Sequence, residues 1–352
     1  MGKTPFTGQA AKLSAIAALV AGSMLAATTQ AAVINIPKDS GFSGYVNLGA
    51  GGLSVKSNML ASIMSGNIDI GDKQIDSLNK SPSNSEGGAI PVINFELSYT
   101  FGSTRTQVHV GNLLEDYLSM DMTTIAGVRQ DVGRAGQIGA SYRGTAVATE
   151  VWQDPYLTGA KRKDTDRTNN GFRVYWQQLM SSGLEFRYTY SEIDIDDELS
   201  GQSLALTPGQ RKLLDRQGDI DNFAILYEFK SDDKKHIVEP QLAYIDRDLD
   251  GQAMANDGVR ASVNYIYQYS DKWRWVANAS YSDYDYKKAN PIYDYKDKSN
   301  HYGVSLSMFY TGPFGLKDWT FNATAGYYEQ DNDLDFYDAE VGVVAIGMLR
   351  RF

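Results

Sequence analysis

The chain has 352 residues, with 33 basic and 43 acidic side chains, a net charge of −10 and no cysteine. That balance excludes a general nucleic-acid binder, which needs a basic footprint. The missing cysteines exclude a disulfide framework, thiol chemistry and a cysteine-ligated metal.

Mean hydropathy is −0.37, a value shared by soluble proteins and by membrane barrels whose lumen and loops are polar. The 23 Tyr, 5 Trp and 33 Gly point toward the barrel, because barrels place aromatic residues at both membrane interfaces.

The first residues read as a secretory leader. Lys3 and Lys12 precede a small-apolar run from Leu13 to Ala27, followed by Thr28-Thr29-Gln30-Ala31-Ala32. A basic start, an apolar centre and small residues at the cut make a signal peptide. Cleavage after Ala31 puts Thr29 and Ala31 at the two small-residue positions. Residues 1–31 are therefore assigned to the leader and 32–352 to a single barrel domain. The leader carries two lysines and no acid, so the mature chain is more acidic still. The apolar run is short for a spanning helix, and no later stretch reaches about 18 apolar residues.

From Phe42 the chain alternates with period 2 in strand-length segments separated by turn residues. Strands are expected at 42–55, 90–101, 104–112, 121–131, 137–152, 171–180, 184–193, 221–229, 236–246, 258–269, 273–284, 301–310, 319–328 and 339–352. Ile93, Phe95, Leu97, Tyr99 and Phe101 share one face of the second strand, with Asn94, Glu96, Ser98 and Thr100 on the other. The same alternation directs Val108, Phe172, Trp176, Phe186, Phe223, Leu242, Val263, Trp275, Leu306 and Phe321 outward.

The connections alternate in length. Short turns such as Gly102-Ser103, Ser181-Ser182-Gly183 and Ser270-Asp271-Lys272 follow even-numbered strands; long segments at 56–89, 153–170, 194–220 and 285–300 follow odd-numbered ones. An outer-membrane barrel has short periplasmic turns, long outer loops and an even strand count.

A two-residue turn at Gly102-Ser103 would pair Phe101 with Thr104, Leu97 with Val108, and Glu96 with His109. Around 230–235, Phe229 should meet Val238, Ile225 should meet Leu242, and Glu228 should face Glu239. Phe101, Phe229, Tyr269, Trp273, Tyr310, Trp319 and Phe352 would form the periplasmic aromatic girdle.

The chain ends on a strand. Phe352, Arg350, Met348, Ile346, Val344 and Gly342 alternate with Leu349, Gly347, Ala345, Val343 and Val341. A terminal Phe with apolar residues at alternate positions resembles the signal read by the barrel-assembly machinery; Arg350 departs from that pattern. A soluble β-sandwich is the competing fold, and it has no reason to alternate short and long connections.

The fold class expected is all-β: a transmembrane antiparallel up-and-down β-barrel of about 14 strands, or 12, in the outer membrane of a Gram-negative bacterium. Ile36-Pro37-Lys38-Asp39-Ser40-Gly41-Phe42-Ser43-Gly44, the glycine-rich strand that follows and the terminal Arg351-Phe352 resemble a group of uncharacterised outer-membrane proteins. That group is gammaproteobacterial, mostly marine and Vibrio-like, and carries a domain of unknown function. The resemblance implies a porin-like barrel and its location, and no activity.

Glu96, Arg105, His109, Glu185, Arg187, Glu228, Glu239, Arg260 and Arg274 are expected on the inner face. Both signs suit a water-filled path for small polar or ionic solutes. About 14 strands leave more room than the roughly eight that side chains fill. The alternative is a non-conducting barrel that binds partners through acidic loops. The long segments 56–89, with its Met59–Met64 patch, and 194–220, with a short helix at 209–217, can fold into the mouth.

Asp246, Asp248 and Asp250, with Gly251 and Asp257, match the spacing of a calcium loop with Asp at the last ligand position. Calcium is the one cofactor the spacing admits. An enzyme is not expected: the three histidines, His109, His236 and His301, sit on different parts of the barrel and cannot converge. Expected partners are outer-membrane lipid and lipopolysaccharide, the barrel-assembly machinery and small polar solutes.

Overall fold

Each alternating stretch forms a strand in the computed structural model, which describes residues 36–112 and 122–352. The leader, and the first residue of the strand expected at 121–131, lie outside them. The strands are β1 Gly41–Ser57, β2 Glu86–Phe101, β3 Thr106–Asn112, β4 Met122–Asp131, and β5 Gln137–Val147, continued as Thr149–Trp152. Next come β6 Asp164–Gln177, β7 Leu184–Ile195, β8 Gly218–Tyr227, continued as Phe229–Lys230, and β9 His236–Leu249. The chain finishes with β10 Asn256–Gln268, β11 Trp273–Tyr286, β12 Lys298–Thr311, β13 Trp319–Asn332 and β14 Ala339–Arg351.

Each strand pairs antiparallel with the next, and β14 returns to β1 from Tyr45↔Arg351 to Ser57↔Ala339. The result is a closed 14-stranded barrel. Closure gives every strand a partner on both sides, which a backbone in hydrocarbon requires. No helix among the described residues is long and apolar enough to cross a membrane; crossing by strands is a separate matter.

The outward side chains follow the alternation. Leu97, Val110, Trp176, Phe223, Leu242, Val304 and Ile346, from strands all around the barrel, are exposed. In water such an apolar belt would far exceed the patch a soluble monomer tolerates; facing lipid it is the expected surface. At the short-turn end the Trp273 and Tyr310 rings lie 4.6 Å apart and the Phe42 and Tyr99 rings 4.9 Å apart. At the long-loop end Tyr190 donates to Asp219 at 2.7 Å and Tyr281 to Asn300 at 2.6 Å, so their apolar bodies lean on the barrel and their tips are polar.

Three details depart from the expectations. Several strands run further toward the long loops: β6 begins at Asp164 and β13 reaches Asn332. There the outward positions turn polar, so backbone pairing continues after the apolar signal stops.

The first hairpin also has a longer turn. Phe101 pairs with Thr106, Leu97 with Val110, and His109 with Ser98 rather than Glu96. Residues 102–105 form the turn, closed by Arg105 at φ 56 with its side chain on Asp131. The slip is by two residues, so every side chain keeps its face. At the 230–235 turn Phe229↔Val238 and Ile225↔Leu242 stand as expected.

Finally, the helix expected at 209–217 is the single turn Pro208–Lys212. Thr207 and Gln210 form a capping box at its start.

The long β1–β2 connection folds back onto the barrel. Its segment Leu60–Ile63 pairs with Thr149–Trp152, and Ile63 turns back to Ile68. Ile63, Met64 and Ile70 pack in one cluster with the inward residues Leu53, Val55, Ile90, Val92, Val341 and Val343.

Above them, the connections from the long-loop end interlock. Tyr156 and Tyr337 share a 2.7 Å hydroxyl contact, Asn290 donates to Tyr337 at 2.6 Å, and Tyr293 donates to the Leu78 carbonyl at 2.6 Å. Leu214, Met254 and Phe336 complete this buried cluster. Arg162 lies 4.4 Å over the Trp152 ring and donates to the Asn58 carbonyl at 2.7 Å. Among the described residues, six connections thus meet in one cap over the mouth.

Candidate functional site in the barrel lumen

The inner face has two halves. On β1–β4 and β12–β14 the inward polar groups hold one another. Arg129 donates to Glu96 at 2.6 Å and to Gln107 at 2.6 Å, and Gln107 donates to Thr100 at 2.8 Å. Asn322 donates to Asn47 at 2.8 Å, and Ser307 meets Thr324 at 2.8 Å. Alternation sends these polar side chains inward, and their mutual hydrogen bonds offset much of the cost of burying them, although Asn47 Nδ2 and Asn322 Oδ1 stay unpaired.

The other half, on β5 to β11 with part of β13 and β14, lines a cavity of about 520 Å³. Its wall changes character along the barrel axis. Near the short turns it carries Glu185, Glu228 and Glu239. Further from the short turns come Arg143 of β5, Arg173 of β6 and Arg260 of β10, with Arg187 joined to Glu185 at 2.7 Å. Toward the long loops the apolar Leu60, Val151, Ile193, Ile195 and Ile220 stand beside Arg167, Arg216 and Arg247, with Arg167 paired to Ile195 and Arg247 to Ile220. Arg143 donates to Ser191 at 3.1 Å and Arg173 to Thr189 at 3.0 Å, so neutral hydroxyls on β7 help to orient both guanidiniums. Among the described residues seven arginines and three glutamates line this cavity.

Of the expected inner residues, Glu185, Arg187, Glu228, Glu239 and Arg260 line the cavity. Glu96 and His109 belong to the packed half, and His109 Nδ1 is buried without a partner. Arg274 is inward near the short turns, where it donates to Gln268 at 2.7 Å, and does not reach the cavity. Arg105 is a correction: it sits in the lengthened turn, tied to Asp131, because its strand begins only at Thr106.

Arg129, Arg143, Arg173 and Arg247 were not singled out in the sequence. Arg173 lies between the outward Phe172 and Val174, so the same alternation places it inward. Arg129 and Arg143 lie on β4 and β5, whose alternation is blurred by Gly and Ala.

The aspartate spacing does not make a calcium loop here. Asp246 and Asp248 lie within β9, and Asp246 pairs across the sheet with Asp257 of β10. Extended strand spaces alternate carboxylates by about 6.7 Å instead of wrapping them around one ion. Lys287 Nζ sits 2.8 Å from Asp246 and 3.0 Å from Asp248, so an ammonium stands where the spacing puts the metal. Among the described residues no group of three or more His, Asp or Glu side chains is placed to hold a metal ion.

The three histidines lie apart. His301 is buried in the lumen against Tyr328 at 2.7 Å, and His236 stacks outside on Tyr267 with ring centroids 4.8 Å apart.

Residues 41–350 match one family model, described as a protein of unknown function, DUF2860. The chain belongs to the DUF2860 family. No curated protein matches it.

Among solved structures, the DUF2860 chain is similar to the outer-membrane channel DcaP of Acinetobacter baumannii, with 12% identity, 89% and 97% of the two chains covered and a TM-score of 0.46. It is also similar to a FadL homologue of Pseudomonas aeruginosa, with 12% identity, coverage of 88% and 90% and a TM-score of 0.45. The toluene transporter TodX of P. putida matches with 11% identity, coverage of 92% and 94% and a TM-score of 0.42.

Proposed function

We propose that this chain is an outer-membrane channel for passive diffusion of small polar or ionic solutes. In this reading residues 1–31 are removed on export, the short turns face the periplasm, and the barrel sits among lipid and lipopolysaccharide. The barrel-assembly machinery recognises the last strand with its Phe352. One observation carries the channel reading: a cavity of about 520 Å³ inside the wall, with three glutamates and several arginines turned into it. Charged groups turned into a wide barrel serve solutes better than they serve packing.

Planar-bilayer conductance with the purified protein tests the reading. Discrete current steps are expected. Their absence across a range of salts and voltages overturns it and favours a non-conducting barrel that binds partners through its loops. The interlocked cap of Tyr156, Asn290, Tyr293 and Tyr337 is the observation on the side of that second reading.

A further inference from the structure

We infer that the cavity holds a binding site for an amphipathic anion, a carboxylate on an apolar body, with Arg247 and Arg260 as the pair that takes the head group. This names the substrate class for the channel reading and rests on it for transport; binding itself can be measured without conduction.

The argument starts from two guanidiniums on one patch of wall. Arg260 of β10 donates through Nε to Ser282 Oγ and through Nη2 to Tyr284 Oη, each at 3.3 Å. Both partners are neutral, and both bonds are long. Arg247 of β9 lies with its guanidinium carbon 5.3 Å from the Tyr284 ring centroid, and its Nε is buried without a partner. The two cations therefore approach Tyr284 from different directions, and both line the cavity. Two positive charges held by hydroxyls and a ring face are poorly compensated in a lumen. The planar fork of arginine matches a carboxylate, and such charge-assisted bonds are about twice as strong as neutral ones.

What surrounds the pair sets the rest of the ligand. Ile220 is the cross-strand partner of Arg247, and Ile245 and Leu249 stand two residues to either side of it on the same face of β9. All three line the cavity, and Leu249 also packs into the cap. A free inorganic anion would leave this apolar surface wet. An apolar body of several carbons would cover it, at about 0.8 kcal/mol for each buried CH₂. The carboxylates Glu185, Glu228 and Glu239 lie at the other end of the cavity, so an anion is held away from them and a cation is not drawn to the arginine end.

The test is calorimetry on the detergent-folded protein with 4-phenylbutanoate, 4-phenylbutan-1-ol, 4-phenylbutylamine and acetate. The phenylbutanoate should bind at least about tenfold more tightly than the alcohol, the amine or acetate, the size of one charge-assisted hydrogen bond. Arg247→Gln with Arg260→Gln should bring it down to the level of the alcohol while heat-modifiable gel mobility stays intact. Should that double variant fail to fold, Arg260→Gln alone must weaken the phenylbutanoate and not the alcohol, and Leu249→Asn must weaken both.

Equal binding of acid and alcohol, no binding of the acid, or indifference to the arginine substitutions overturns the site. Failure of the channel reading shows separately, as a protein that binds phenylbutanoate and never conducts.

Discussion

Phe352 and Gly44 exchange both backbone hydrogen bonds, at 3.0 and 3.1 Å, and so fasten the last residue of the chain to the first strand. A Cβ built on Gly44 would lie 2.1 Å from the Glu96 carbonyl oxygen and 3.1 Å from the Phe352 ring. Glycine is thus required where the seam and the terminal ring crowd together.

The seam gives the first prediction. Phe352→Asp and, separately, Gly44→Val should lower the folded, heat-modifiable fraction on a gel, Phe352→Asp chiefly in cells and Gly44→Val also on refolding in detergent. A wild-type fraction for Gly44→Val in detergent would show that the seam has slack the structure does not display.

The pair Glu96–Arg129 gives the second. Arg129 is 3% exposed and spans Glu96, Gln107 and Ser98. Arg129→Met leaves a carboxylate without its counter-charge and should cost about 3–5 kcal/mol by denaturant titration in lipid. Adding Glu96→Gln should restore a good part of that loss, since replacing both charges removes the orphan. A double variant no more stable than the single one would place the cost in packing instead.

The glutamates near the short turns give the third. Glu228→Gln with Glu239→Gln removes two of the three carboxylates lining the cavity, which lowers the local cation concentration. The reversal potential in a salt gradient should move toward anion preference. An unchanged potential would show that ions take a path away from these two residues.

Asp297 gives the fourth. It lies in the connection after β11, accepts from Asn332 at 2.8 Å and from the Leu334 amide at 3.1 Å, and is 2% exposed. Burial outweighs those hydrogen bonds and pushes its carboxyl up from 3.8 to about 6. A raised carboxyl binds more protons when folded. Its contribution is therefore present below about pH 4 and lost as pH rises through about 6. That contribution is roughly 3 kcal/mol at the most, because each tenfold gain in proton affinity is worth about 1.4 kcal/mol. Proteolysis of the loop cap should accelerate over that window, and Asp297→Asn should flatten the dependence. A variant with the wild-type slope would assign the effect to other carboxylates.

How much of this was legible in the sequence depends on what each strand does with its outward face. On β11 to β13 large outward residues such as Trp275, Leu306 and Phe321 carry strand position and phase. On β4 and β5 the faces hold Gly, Ala, Ser and Thr, which suit either side, so Arg129 and Arg143 gave no sign of where they point. The slip at the first turn was invisible because a shift by two conserves every face; only the Arg105–Asp131 contact distinguishes the registers. The aspartates of β9 were misleading for a related reason: a ligand spacing is a spacing along a loop, and nothing local says that the chain there stays extended. The division of the lumen into a packed half and a cavity depends on side chains meeting across the barrel, which no local pattern reports.

The short segment Leu60–Ile63, registered against Thr149–Trp152, bears on time rather than on shape. A plug resting by side-chain packing alone can drift in nanoseconds to microseconds, whereas one sewn into a sheet must first break its backbone ladder. Opening that requires this segment to leave should consequently be slow and infrequent, and single-channel records should show long dwell times with abrupt transitions in place of rapid flicker. If current flickers rapidly instead, ions pass with the segment in place, and the conducting path runs wholly along the arginine-bearing wall.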